Sequence, residues 1–417
     1  MSEVTWRVPG RLEVLGKHTD YAGGQVLICP VEQAVTVTAV AIDEPAGTVV
    51  ARSRDAAATV RLGAGVATAF PSGHWGRYVR TVVDRLTANF GVLRAAELTV
   101  TSQVPLASGL SSSSALLVGC ALALADLNEL PATLRWQGAM PDRLALAGYL
   151  ATVENGRTWG PLAGALGVGT QGGSEDHTAM LCGVEGTLGH YEFDPLGLVR
   201  QVAFPPGWAF VVAVSGVRAE KTGAALASYN AAARAVADLL ARWNAVTGRA
   251  EASLAAAWRE DAARLTAIAA EEPALARRLA HFVVESTECV PAGAQAVAVG
   301  DAAAFGEVAA RSQRGAEDLL GNQVPATIDL ARSALALGAW AASSFGAGFG
   351  GSVWALVGAL EADAFAGAWL ADHRRRHPDL PEATTLVTRP GAPAARIAAG
   401  ESDGPGSRAY PSPRPRR

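Results

Sequence analysis

Apolar positions follow two different periods along the chain. Leu98 and Val100 alternate with Thr99 and Thr101, the period of a half-buried strand, and Pro105 ends any pairing. Ala34 to Val40 alternates in the same way. Trp208 to Ser215 and Val353 to Val357 are short continuous apolar runs, which predict buried strands. Other stretches keep one face of a helix: Ser114 to Leu127, Ala and Leu rich with Gly119 as its one glycine; 143–154, with Leu146, Leu150 and Val153; and Leu226 to Trp243. A helix is also expected after His74 through Leu86, and around 254–270, 302–319 and 327–341. Periodicity alone therefore predicts a mixed α and β chain, with no repeat at solenoid spacing.

Composition narrows the class. With 417 residues, half of them hydrophobic, the chain can bury a large core and divide into about two domains. A net charge of −4 gives no electrostatic footprint for nucleic acid. Cys29, Cys120, Cys182 and Cys289 are scattered, without zinc or redox spacing, and read as small buried hydrophobes. The first residues lack a signal-peptide pattern, and apolar runs are broken before they could cross a bilayer. The expectation is a cytoplasmic protein with a small-molecule partner. From about Arg389 the chain turns to Pro, Gly, Ala, Ser and Arg, so 391–417 is expected to be a disordered tail dispensable for catalysis.

Between the strand at 98–101 and the helix from Ser114 lies Val104-Pro105-Leu106-Ala107-Ser108-Gly109-Leu110-Ser111-Ser112-Ser113-Ser114. Strand, glycine turn and helix N-terminus make an anion site: glycine allows close approach, and unpaired amides attract negative charge. No Gly-Lys-Ser or Gly-Lys-Thr follows, so this is not a Walker A loop. Alone, it reads equally well as a serine-rich helix cap.

Two further stretches shift that balance: Pro9-Gly10-Arg11-Leu12-Glu13-Val14-Leu15-Gly16-Lys17-His18-Thr19-Asp20-Tyr21 near the start and Gly346-Ala347-Gly348-Phe349-Gly350-Gly351-Ser352 near the end. Together the three resemble, in order, the signatures of the GHMP small-molecule kinases. The first resembles the galactokinase branch, whose pattern runs Gly-Arg-x-Asn-Leu-Ile-Gly-Glu-His-Thr-Asp-Tyr. The resemblance implies a two-domain α+β fold, with an N-terminal domain like ribosomal protein S5 over 1–205, a ferredoxin-like C-terminal domain over 206–390, and the active site between them.

It also implies roles. Gly109, Leu110, Ser111, Ser112, Ser113 and Ser114 would hold the phosphates of ATP, and Trp75, in His74-Trp75-Gly76-Arg77-Tyr78, would lie near adenine. Ser113 with Glu154 would coordinate Mg2+. Gly172-Gly173-Ser174-Glu175-Asp176-His177 resembles Gly-Ile-Met-Asp-Gln, which makes Asp176 the catalytic aspartate, with Arg11 stabilising charge on the transferred group. Lys17, His18, Asp20 and Tyr229 would contact the sugar. Read without the family, Trp75 and Tyr229 are core aromatics, Glu154 is a helix-end carboxylate, and His18 is a satisfied core histidine.

The chain departs from the pattern at Glu13 (asparagine in the family), Lys17 (glutamate) and His177 (glutamine). Residues 157–171 look like an insertion between Glu154 and Asp176. The leading expectation is phosphorylation of the C1 hydroxyl of galactose or a close relative. If the Lys17 ammonium faces the sugar, a uronic acid such as galacturonate becomes the alternative acceptor. A catalytically silent sugar sensor is the alternative from another class.

Overall fold

The computed structural model describes residues 2–398 apart from 56–57, 64–69, 72, 106–107 and 218–223, and gives the backbone alone for 224–228. The loop residues Leu106 and Ala107, together with 399–417, lie outside the described residues.

Two sheets organise the chain. The first contains β1 (Glu3–Leu15), β2 (Gln25–Ala41), β3 (Val49–Ser53), β4 (Ala58–Leu62), β5 (Ala96–Ser102), β6 (Thr187–Phe193) and β7 (Leu196–Ala203). The second contains β8 (Trp208–Val214), β9 (Ala341–Phe345), β10 (Ser352–Gly358) and β11 (Thr384–Thr388), while β12 (Ala395–Ile397) returns to the first. Strand order is β12-β1-β2-β5-β3-β4, with β6 on β2 and β7 on β6; the second sheet runs β11-β8-β10-β9. The length of β2 lets it pair with β6 along 25–28 and with β5 along 35–41, while β1 runs antiparallel beside it.

The helices of the N-terminal half are α1 (Gly76–Phe90), α2 (Ser112–Leu127), α3 (Leu134–Ala139), α4 (Arg143–Asn155) and α5 (Glu175–Cys182). Of the 16 residues of α2, 13 are buried, so it lies inside the domain rather than upon it. It packs on β1 and β2. That fixes its N-terminus, and with it the glycine and serine loop, beside the first signature. The long helix α6 (Ala224–Thr247) and a helical layer from Leu254 onward cover the other side. Ala22, just after the first signature, shares an apolar cluster with Trp243, Leu279 and Phe282 of that layer.

The structure matches most of the periodic segments and corrects others. The 254–270 pattern is two helices, Leu254–Glu260 and Ala262–Ala270, separated at Asp261, whose side chain caps the second. The pattern at 302–319 is a helix, Ala302–Arg314, that continues as π-helix over Gly315–Leu320. The helix expected to reach 341 is Pro325–Ala336, and Ala341 already belongs to β9. The expectation of a disordered tail from 391 is overturned as far as 398: Gly391 donates to the Pro30 carbonyl, Ala394 is buried and donates to Met180, and β12 pairs with β1. Backbone pairing offsets the ordering entropy that composition suggested would win. Among the described residues no helix is long and apolar enough to cross a membrane.

Gly119 shows how tightly α2 sits on its sheet. A Cβ there would lie 2.6 Å from Val37 Cγ2, and a β-branched strand residue has little freedom to move aside. Gly119→Ala gains about 1 kcal/mol of helix propensity against about 1–3 kcal/mol of overpacking. The variant should therefore melt below the wild type; a higher Tm would contradict this packing.

Candidate active site

The site is built around one arginine. Arg11 is buried in β1, where its amide donates to the Leu110 carbonyl at 3.0 Å and its Nη1 to the Gly109 carbonyl at 2.6 Å. Its Nε lies 2.7 Å from Asp176 Oδ1 and 3.3 Å from Glu175 Oε1. One side chain thus joins the first signature, the phosphate loop and the N-terminus of α5. The third signature closes on the same loop, through a hydrogen bond from the Ser352 hydroxyl to the Ser108 carbonyl.

The serines at the start of α2 face the carboxylates. Ser111 Oγ donates to Asp176 Oδ2 at 2.7 Å, and Ser114 Oγ lies 2.9 Å from Glu154 Oε2 and 3.2 Å from Asp176 Oδ2. The hydroxyl that meets Glu154 is therefore that of Ser114, one position beyond the expected Ser113. Ser112 and Ser113 are half-buried on the same first turn. Glu154 closes α4, and Asp176 opens α5. The residues 157–171 between them run out and back: Trp159 pairs with Leu162, Val168 donates to the Glu154 carbonyl, and Gln171 bonds Asn230 of α6. The two carboxylates consequently meet at one serine in spite of their wide spacing. The oxygen set of Glu154 and Ser114, beside a helix N-terminus, suits a hard cation such as magnesium completed by phosphate oxygens.

The first signature makes a tight turn after β1. His18 has a positive φ of 56°, and its ring is held between the Tyr21 hydroxyl at 2.8 Å and the Ala347 carbonyl at 3.1 Å. Asp20 Oδ2 accepts from the Glu175 amide at 3.3 Å, and a Cβ at Gly173 would collide with this carboxylate. Tyr229, on α6, packs its ring 5.3 Å from that of His18. Arg11, His18, Asp20, Glu154, Asp176 and Tyr229 line one cleft.

Lys17 does not join them. Its side chain is buried on the far side of the turn, where Nζ donates to Ser312 Oγ and lies 3.7 Å from Glu285 Oε1. Glu285 also accepts from the amides of Gly16 and Lys17, so it holds the turn by backbone as well as by charge. The ammonium that suggested an anionic sugar points away from the cleft. Trp75, at the N-terminal edge of α1, stacks by His74 and packs against the main core, the structural role its spacing also allowed. Glu13, Glu175 and His177 line the cleft as well. Glu13 was legible as the same strand face as Arg11, two residues on; nothing local in the sequence marks Glu285.

Burial dominates the electrostatics. It pushes the Glu13 carboxyl up to about 7 from an ordinary 4.5, against the pull of Arg11 and Lys17. Burial and then the charge of Glu13 raise Glu175 well above the carboxylate range. For Arg11, burial alone would lower the pKa, but Asp176, Glu175 and Glu13 outweigh it and keep the guanidinium charged. His177 Nε2 lies 3.4 Å from Glu154 Oε2.

Known proteins resemble this chain in sequence and in fold. The family model described as the galactokinase galactose-binding signature matches residues 1–41, that of the GHMP kinases N-terminal domain 77–161, and that of the GHMP kinases C-terminal domain 294–374. The galactokinase of Mycobacterium bovis is 30% identical over 358 residues, 85% of this chain and 89% of that protein. The chain belongs to the GHMP kinases, in their galactokinase branch. Its two-domain fold is theirs: the structure of Lactococcus lactis galactokinase complexed with galactose superposes with a TM-score of 0.79 at 22% identity, covering 95% of both chains. Methanococcus jannaschii mevalonate kinase, at 13% identity, gives 0.57 over 93% of this chain and 98% of its own.

Two outcomes are expected of the charged groups. Glu13 and Glu175 bind their protons more tightly folded than unfolded, so their contribution to stability is complete below about pH 4.5 and is lost as pH rises, for Glu13 through about 7. Glu13→Gln should therefore melt above the wild type at about pH 8 and level with it at about pH 5. A lower Tm at the higher pH would contradict the assignment. Lys17→Glu, which restores the glutamate of the branch, sets a second buried carboxylate against Glu285. It should cost about 3–5 kcal/mol in denaturant unfolding, the scale for a broken buried pair; an unchanged midpoint would show that the pair does not hold the turn.

Proposed function

We propose that this kinase transfers the γ-phosphoryl group of ATP, with magnesium, to the C1 hydroxyl of galactose or a close relative. The observation that carries the reading is the reach of Arg11, which joins the phosphate loop to Asp176 in the cleft that also contains His18 and Asp20. The galactose in the Lactococcus lactis relative and the galactose-binding signature over residues 1–41 support a sugar acceptor.

In the transfer, the bond between the γ-phosphorus and the β,γ-bridging oxygen breaks and releases ADP, a bond from the C1 oxygen to phosphorus forms, and the hydroxyl proton is lost to water. Such a step is carried by positioning and charge. The amides and hydroxyls from Gly109 to Ser114 would hold the phosphates. Glu154 with Ser114, or with Ser113 after a turn of its side chain, would hold magnesium, which supplies positive charge on the phosphate oxygens. His18, Asp20 and Tyr229 would orient the sugar. Asp176, paired with Arg11, is better suited to aligning the hydroxyl than to removing its proton, because the guanidinium favours the carboxylate form. Arg11 would offset charge building on the phosphoryl group. The cleft would then lie between an N-terminal unit ending near 205 and a C-terminal one extending to about 390.

A uronic acid acceptor draws no support from Lys17, whose charge is paired with Glu285. ATP turnover with magnesium against galactose, galacturonate, glucose, glucuronate and no sugar tests the reading. Galactose should be turned over, and Asp176→Ala should abolish turnover while sugar binding, followed calorimetrically, persists. Wild-type turnover by Asp176→Ala would remove that residue from the mechanism, and silence on every sugar would favour a sensor.

A further inference from the structure

Acidic side chains of the cleft outnumber its basic ones. Glu13, Asp20, Glu154, Glu175 and Asp176 line it, and Arg11 is its one arginine or lysine among the described residues. Lys17, the nearest other cation in the signature, is paired with Glu285 outside the lining. Even with a divalent cation at Glu154, four carboxyl groups face one guanidinium. Asp176 and Glu175 lie on the Nε side of Arg11, and its Nη1 donates to the Gly109 carbonyl.

Several buried polar atoms of the lining have no hydrogen-bond partner among the described residues, Glu175 Oε1 and both ring nitrogens of His177 among them, and of these side chains Glu13 is the acid with no ion pair to Arg11. It is 3% exposed, it lines the cleft, and its Oε1 has no hydrogen-bond partner among the described residues. A buried acceptor is costly to leave unpaired, and more so when it is charged. It shares the strand face of Arg11, so a ligand aligned by Arg11 and Asp176 would come within its reach. Where the galactokinase pattern has a neutral asparagine, this chain places an acid; where the pattern has an acid, it places a lysine turned away.

We propose that the preferred acceptor is a cationic hexose, an amino sugar with a protonated amine, and that Glu13 is the specificity-determining residue that receives the ammonium. An ammonium supplies both the donor that Oε1 lacks and the charge the cleft lacks, whereas a hydroxyl supplies only a donor and a uronate adds a further negative charge. Burial, and for Glu175 the neighbouring Glu13, raises both carboxyls, and an ammonium beside them would favour their ionised forms. This inference rests on the phosphoryl transfer proposed above and leaves the bonds made and broken there unchanged.

The test measures kcat/KM with ATP and magnesium at about pH 7, where amines are largely protonated and a substantial share of Glu13 is ionised. Acceptors are galactose, 2-amino-2-deoxygalactose, 6-amino-6-deoxygalactose and N-acetylgalactosamine, the last keeping the nitrogen without its charge. One of the two amines should exceed galactose by about tenfold or more, the scale of a charge-assisted hydrogen bond, and acetylation should remove the advantage. Glu13→Gln should shrink the ratio of amine to galactose by about tenfold or more. Because that ratio is read within one protein, loss of folded enzyme does not mimic it. Galactose turned over as well as or better than both amines would overturn the inference and leave the sugar-kinase reading standing. An amine preference that survives Glu13→Gln would overturn the role of Glu13. No turnover on any acceptor would overturn both readings.

Discussion

A buried guanidinium must be surrounded by acceptors, and the way Arg11 meets that requirement organises the site. From β1 it meets partners of two segments far away in sequence: the carbonyl of Gly109 in the phosphate loop, and the carboxylates of Glu175 and Asp176 at the start of α5. Losing any of these partners would leave charge uncompensated in a poorly solvated place. The same constraint draws Ser111 and Ser114 toward Asp176, and through Ser114 it reaches Glu154 at the end of α4. The contacts that compensate this buried cation are therefore the ones the proposed phosphoryl transfer would use.

Backbone strain is concentrated in the same place. Of the four described non-glycine residues with positive φ, His18, Ser111 and Phe349 fall one in each signature. Such conformations persist only where the surroundings over-determine them. Here the surroundings are identifiable: Glu285 grips the amides of Gly16 and Lys17, α2 is packed inside the sheet, and Ser352 is tied to Ser108. The helical layer from Leu254 onward thus does more than cover the core. It supplies Glu285 and Arg278, whose guanidinium donates to the His18 carbonyl, and so fixes the turn that carries His18 and Asp20.

Much of this was legible because it is local. Strand β5, the loop and α2 follow from alternation, glycine and serine, and the continuous apolar runs at β8 and β10 read as buried strands. The grouping of Arg11, His18, Asp20, Glu154 and Asp176 came from a family pattern, and the cleft contains them all. What was not legible depends on distant partners. The direction of Lys17 is set by Glu285, 268 positions away, and no local pattern reveals it. The serine that meets Glu154 is Ser114 because the helix starts at Ser112 and so sets which hydroxyl faces inward. Residues 391–398 looked disordered by composition, but the open edge of β1 orders them.

The central claim is that this constellation transfers a phosphoryl group to the anomeric oxygen of a sugar. The most direct test is NMR of the product formed from galactose, ATP and magnesium by the wild-type protein, with phosphorus coupling assigning the phosphorylated carbon. The account predicts coupling to the anomeric carbon and proton, hence a 1-phosphate. A phosphate on any other carbon, or ATP left intact beside unmodified sugar, would contradict it.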